Sequence, residues 1–218
     1  MQEEKIIELK EYIIAQANNV EKMLGNTING FLNKDKRQLE QVIDEEEKKI
    51  NKTEVKIDKM YMNIFARYQT EAKELRTVLM ISKMNIDLER VADHCVNIAE
   101  SALELIDKPL VKPLIDIPRM SELTQRMIVD SINSFINEDV DLAQEVCERD
   151  NQVDDLKDQI IRELITYMID DPRTIERSLN IIRIASNIEK IADLSTNIAE
   201  ETVFVVNGKI IKHGRSCK

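Results

Sequence analysis

Two stretches of the chain carry the side chains best suited to chemistry, ERVADHCVNIAE at 89–100 and EKIADLSTNIAE at 189–200. At 100° per residue, Glu89, Asp93, Asn97 and Glu100 fall in one stripe roughly 80° wide. Leu88, Val91, Ala92, Cys95, Ile98, Ala99 and Ala102 occupy the opposite face. The same wheel places Glu189, Asp193, Asn197 and Glu200 together. A row of carboxylate and amide oxygens suits a hard cation such as Mg²⁺, Mn²⁺, Ca²⁺ or iron, and two histidines with no paired cysteines argue against zinc. The competing reading is a solvated face, the usual fate of charges on an amphipathic helix. Like charges at i,i+4 are mildly destabilising, and their recurrence in both stretches favours something positive binding there. Read from the residues alone, the two possibilities stand level.

One helix offers one side of a coordination shell, so a second must supply the rest. Glu47/Asn51 and Asp150/Asp154 repeat the i,i+4 spacing upstream of each stripe, as in carboxylate-bridged sites of helix bundles. His94 lies on the flank of the first stripe, either as an outer partner of the ligands or as a surface residue. Leu194 stands at the matching place in the second stripe, so a ligand role for this position in both halves is excluded. Cys95 and the methionines Met23, Met60, Met62, Met80, Met84 and Met168 read as core. No Ser-His-Asp, Cys-His or HExxH arrangement occurs, and Gly25, Gly30, Gly208 and Gly214 form no phosphate-cradling loop. No catalytic residues are expected.

The elements that position these stripes are helices. Gly and Pro number four each, aromatics make up 4 % and Trp is absent, which argues against sandwiches, barrels and doubly wound sheets. Helical periodicity runs over 3–32, 36–68 and 71–107, then over 119–137, 139–169 and 173–206. The breaks fall at 33–35, around Thr70, and at Asp170-Asp171-Pro172, with Asp139 as a cap. Pro109, Pro113 and Pro118 mark a linker. The expected organisation is therefore all-α: a first three-helix bundle over 1–108, a linker over 109–118, a second bundle over 119–207 and a tail over 208–218. Besides the stripes, FLNKD at 31–35 matches FINED at 135–139, and EKKIN at 47–51 matches DNQVD at 150–154. Helical filler would repeat apolar positions and scatter the polar ones. Here both repeat, so the halves read as a tandem duplication.

With 31 Lys+Arg against 41 Asp+Glu the formal charge is −10, which disfavours nucleic acid and anionic membranes as partners. No stretch approaches the length of apolar residues needed to span a bilayer, and the acidic start MQEEKIIELK lacks a secretory pattern. Three scattered cysteines make no disulfide framework. A cytoplasmic protein is expected.

At the paired stripes, and at the stretch FVVNGKIIKH over 204–213, the sequence resembles the PhoU family, the cytoplasmic regulators of bacterial phosphate uptake. The resemblance runs from about residue 4 to Gly214. It implies two elongated three-helix bundles with an (E/D)xxxD motif on two helices of each. It implies a multinuclear metal cluster, iron foremost with Mn, Mg, Zn or Ca as alternatives, held through Glu89, Asp93, Glu189, Asp193, Asp150 and Asp154. Glu47 matches a motif position, but Asn51 replaces the aspartate, and Leu194 replaces the histidine usual in the second string. Equal occupancy of the two sites is therefore not implied. The resemblance further implies a non-enzymatic negative regulator of the phosphate-starvation response. Its partners would be the ATPase subunit of the phosphate ABC transporter and a phosphate-sensing histidine kinase, with homodimers a recurrent assembly. The alternative drawn from the residues is an iron-binding or storage bundle, or a carboxylate-bridged oxidase.

Overall fold

A computed structural model describes residues 2–68 and 71–207. Every regular element among them is helical: α1 (Gln2–Leu32), α2 (Lys36–Gln41), α3 (Glu47–Arg67), α4 (Ala72–Leu103), α5 (Asp116–Asn137), α6 (Val140–Asp170) and α7 (Ile175–Asn207). A π-helical turn, Val42–Glu46, joins α2 to α3, and a 3₁₀ turn, Pro172–Thr174, joins α6 to α7. The break expected around Thr70 and the tail from Gly208, with His213 and the end of the 204–213 stretch, lie outside the described residues.

Apolar spacing accounts for the helices. Along α1, Ile6, Leu9, Ile13, Ala17, Val20, Leu24, Ile28 and Phe31 recur at three or four residues, and all are buried. The face anticipated for α4 is buried throughout, with Leu88, Val91, Ala92, Cys95, Ile98, Ala99 and Ala102 at 0–1 % exposure. α1 packs on α3 and α4, and α5 packs on α6 and α7. The halves meet along α4–α7 and α1–α5. Small residues in both long helices, Ala92, Ala99 and Ala102 with Ala185, Ala192 and Ala199, are buried completely.

The duplication extends to the turns. Lys34 and Glu138 both adopt positive φ, at 55° and 54°, and the next residue caps the following helix. Asp35 accepts from the Gln38 amide and Asp139 from the Leu142 amide. In one place the halves part. Val42 and Ile50 are buried eight positions apart, whereas Val146 and Val153 are buried seven apart. Seven residues make two helical turns, so the extra residue of the first half must be looped out of the ladder, and the π turn does this.

Three expectations are corrected. α4 stops at Leu103, four residues early, because Pro109 turns its predecessor away from the helix and the chain tightens into turns, with Leu105 N donating to Ala102 O. α5 starts at Asp116, so Pro118 belongs to the second bundle rather than the linker. It sits in the first turn, where its missing donor costs no helical hydrogen bond. Met62 is 62 % exposed rather than core, whereas Met23, Met80 and Met84 are buried.

Candidate metal centre

The acidic residues of each half gather where two antiparallel helices lie side by side. In the first half Glu47 and Asn51 on α3 meet Glu89 and Asp93 on α4, and Glu54 on α3 joins them. Burial raises the Glu89 carboxyl above its ordinary value, and the charges of Asp93, Glu54 and Glu47 add to the shift. Burial likewise raises Glu54, helped by Asp58 and Asp93. Asn51 Nδ2 donates to Glu47 Oε1 at 2.6 Å, while Asn51 Oδ1 is buried without a hydrogen-bond partner. Asn85, fully buried on α4, donates to Glu54 O and Asp58 Oδ1 and ties the two helices together beside the cluster.

In the second half Asp150 and Asp154 on α6 meet Glu189 and Asp193 on α7. Asp150 is pushed up to about 6, chiefly by burial and then by Asp193, Asp154 and Glu189. Its Oδ1 is also buried without a partner. Asp193 is raised by burial, Glu189 and Asp154. Lys157 stands within this group, its Nζ 2.7 Å from Glu189 Oε1 and 3.3 Å from Asp154 Oδ1. Burial opposes its charge, but the two carboxylates outweigh that and hold it above the usual lysine value.

Each group therefore concentrates like charge and leaves one buried oxygen without a donor, which suits a hard cation. Among the described residues, no three carboxylate, imidazole or thiol side chains already converge on one point as a metal cage. A cation would have to draw the side chains inward.

The outer half of each stripe continues along α4 and α7 beyond Asp93 and Asp193. Asn97 and Glu100 are four and seven residues beyond Asp93, about 6 and 10.5 Å along the axis, and both are exposed. Asn197 and Glu200 line an open groove between α4 and α7 with Asp193, Lys83, Asp87 and Glu201. His94 also belongs to the seam between the halves, its Nδ1 2.9 Å from Asn187 Oδ1. Arg76 Nε donates to Val205 O along the same seam. Eleven residues inward from Arg76 and Val205, three turns along each helix of the pair, bring Asp87 level with Leu194. Seven more bring His94 opposite Asn187. Leu194 thus stands where a histidine would face Asp87, and Asp87 is pushed up to about 6, first by burial and then by Glu201.

Glu54 and Lys157 are the members that motif reading missed. Both lie seven residues after the first member of the i,i+4 pair on their helix, Glu47 or Asp150, and on the same face, so extending the stripe by one turn would have found them. Cys95 is buried, which pushes its thiol far up and keeps it inert.

An all-α protein of two tandem three-helix bundles, each with an acidic pair of helices along its side, is the class these observations define. The PhoU domain matches this chain twice, over residues 13–102 and 117–202, and the chain belongs to the PhoU family. It is 38 % identical over 94 % of its length to the phosphate-specific transport system accessory protein PhoU homolog of Aquifex aeolicus, covering 93 % of that protein. It is 35 % identical to PhoU homolog 2 of Thermotoga maritima, over 96 % of this chain and 88 % of the relative. The Escherichia coli accessory protein PhoU is 32 % identical over 94 % of this chain and 85 % of its own. The crystal structure of PhoU from Pseudomonas aeruginosa superimposes with a TM-score of 0.92 at 32 % identity, over 96 % of this chain and all of that one. None of the described helices is long and apolar enough to cross a membrane.

Proposed function

We propose that this chain is a non-enzymatic accessory protein of a phosphate-specific transport system. In this reading it is a cytoplasmic negative regulator of the phosphate-starvation response that couples the transporter's ATPase subunit to a phosphate-sensing histidine kinase. The observation that carries the reading is the match of both halves to one family whose relatives bear that accessory name over nearly the whole chain. The acidic groups are proposed to hold metal cations, iron foremost. Glu47, Asn51, Glu54, Glu89 and Asp93 would serve the first and Asp150, Asp154, Glu189 and Asp193 the second. A bound di- or trivalent cation would neutralise the repelling carboxylates and clamp α3 to α4 and α6 to α7. The chain's own contribution is to hold those oxygens, half-buried or exposed, on paired antiparallel helices, with Asn51 Oδ1 and Asp150 Oδ1 left without donors.

Deletion of the gene in its host is expected to give alkaline phosphatase activity in phosphate-rich medium. Normal repression in the deletion strain would overturn the regulator reading. Metal analysis of untagged protein purified anaerobically, beside a variant with Glu89, Asp93, Glu189 and Asp193 changed to Ala, tests the clusters. Metal lost from the variant with helicity intact supports them, and metal-free protein in both cases overturns them.

A further inference from the structure

The two acidic groups differ at one position that decides their charge. The position seven residues after Glu47 is Glu54 in the first half, and that seven residues after Asp150 is Lys157 in the second. Glu54 brings the first group to four carboxylates, with Glu47, Glu89 and Asp93, all half-buried or exposed along α3 and α4. Among the described residues no lysine or arginine forms an ion pair with any of the four. The neighbouring cations pair elsewhere: Lys48 and Lys49 with Asp44 and Glu45, Arg90 with Asp87 at 3.8 Å, and Lys56 with the Tyr12 hydroxyl and ring; Arg90 relieves Glu89 only through its field, and less than burial and Asp93 and Glu54 raise it. In the second group Lys157 makes hydrogen-bonded ion pairs with Glu189 and Asp154 and also relieves Asp150 and Asp193. An ammonium therefore already stands where cationic charge is needed.

We infer that Lys157 is a tethered resident cation of the second cluster, and that position 54/157 sets metal preference, so that a hard di- or trivalent cation enters the first cluster ahead of the second. This rests on the metal-binding reading above. A lysine ammonium supplies charge but only donors, so it satisfies Glu189 and Asp154 and competes directly with a metal for their oxygens. Glu54, by contrast, adds both charge and an oxygen ligand. The duplicated fold thus holds one cluster closed by its own side chain and one that is completed from solution.

Mn²⁺ titration by calorimetry and electron paramagnetic resonance on the full chain tests this, with circular dichroism as a check on folding. The wild type should show one class of tight sites, lost in a Glu89→Ala/Asp93→Ala variant and kept in Glu189→Ala/Asp193→Ala. Exchanging a carboxylate for an ammonium even about 6 Å from a divalent ion should weaken binding roughly a hundredfold at the dielectric of water, and more where Glu54 is itself a ligand. Glu54→Lys should therefore abolish the tight class, and Glu54→Gln should weaken it while conserving shape. Lys157→Glu should create a second class of comparable affinity. Equal Mn²⁺ binding at both clusters of the wild type, or no change in Lys157→Glu, would overturn the inference while leaving the metal reading standing. Absence of Mn²⁺ and Fe²⁺ binding in every protein would overturn both.

Discussion

The proline-rich segment between the halves carries a buried lysine that ties it to α5 and α6, and its removal has a calculable cost. Lys112 has a side chain only 6 % exposed. It donates to Asp116 Oδ2 at 2.9 Å, at the start of α5, and to Glu163 on α6. Breaking a fully buried pair costs about 3–5 kcal/mol, whereas an exposed pair contributes about 0–1 kcal/mol. Asp116 is 14 % and Glu163 40 % exposed, so the case lies between. Lys112→Met, which keeps the buried aliphatic stem, should cost about 2 kcal/mol, much of it from leaving Asp116 desolvated without a cation. Adding Asp116→Asn should recover about half of that loss. The pH dependence follows from the two partners. Hydrogen bonds from Lys112 and Gln159 hold the Glu163 carboxyl below its ordinary value, so its contribution is present above its unfolded value and is lost as pH falls through the folded one. Burial opposes the Lys112 charge, but Asp116 and Glu163 outweigh it and raise its value. Its contribution is therefore present below the ordinary lysine range and lost as pH rises through the folded value. The difference between wild type and variant should accordingly be largest near neutrality and shrink in acid. Urea unfolding followed by circular dichroism at several pH values measures this, with amide exchange over 105–118 as a local readout. An unchanged midpoint at neutral pH, with no faster exchange in that segment, would refute the reasoning by showing the pair to be solvated.

Other consequences are open to direct measurement. Asp139→Ala removes the acceptor that caps α6 and should lower stability by about 1 kcal/mol, seen as a lower urea midpoint; Asp139→Asn should restore most of it. Deleting the exposed Glu45 from the π turn should give a continuous helix with an unchanged or raised midpoint, because Val42 and Ile50 then return to two-turn spacing. Deleting the exposed Glu148 between Val146 and Val153 in α6 should instead disrupt the second half, and equal tolerance of both deletions would contradict the register argument. Peptide-mapped alkylation should find Cys95 unreactive under native conditions and labelled at the rate of unfolding, since its thiol is fully buried.

The helices, the duplication and the acidic stripes were all legible in the amino-acid sequence, because each rests on local spacing. Leu88 through Ala102 show a 3.6-residue apolar repeat that any α-helix must turn to one side. The shared polar residues of the 89–100 and 189–200 stretches cannot arise from that repeat alone. Even the π turn left a trace: the halves align with an offset of 104 residues at Asp35/Asp139 and of 103 at Glu47/Asp150, so one residue is inserted between.

What tertiary structure decided is which parts of each stripe act together. A stripe shows angle but not the neighbour it meets: Asn197 and Glu200 share a groove with Lys83 and Asp87 of the other half, which their own helix could not reveal. Glu54 and Lys157 enter because antiparallel pairing brings their turn beside Glu89 and Glu189, a register that depends on two distant segments. His94 was readable as a flank residue, yet its hydrogen-bond partner Asn187 comes from the other half of the molecule. Local periodicity fixes a side chain's direction from its own helix, whereas its charge environment depends on which helix packs opposite and in what register.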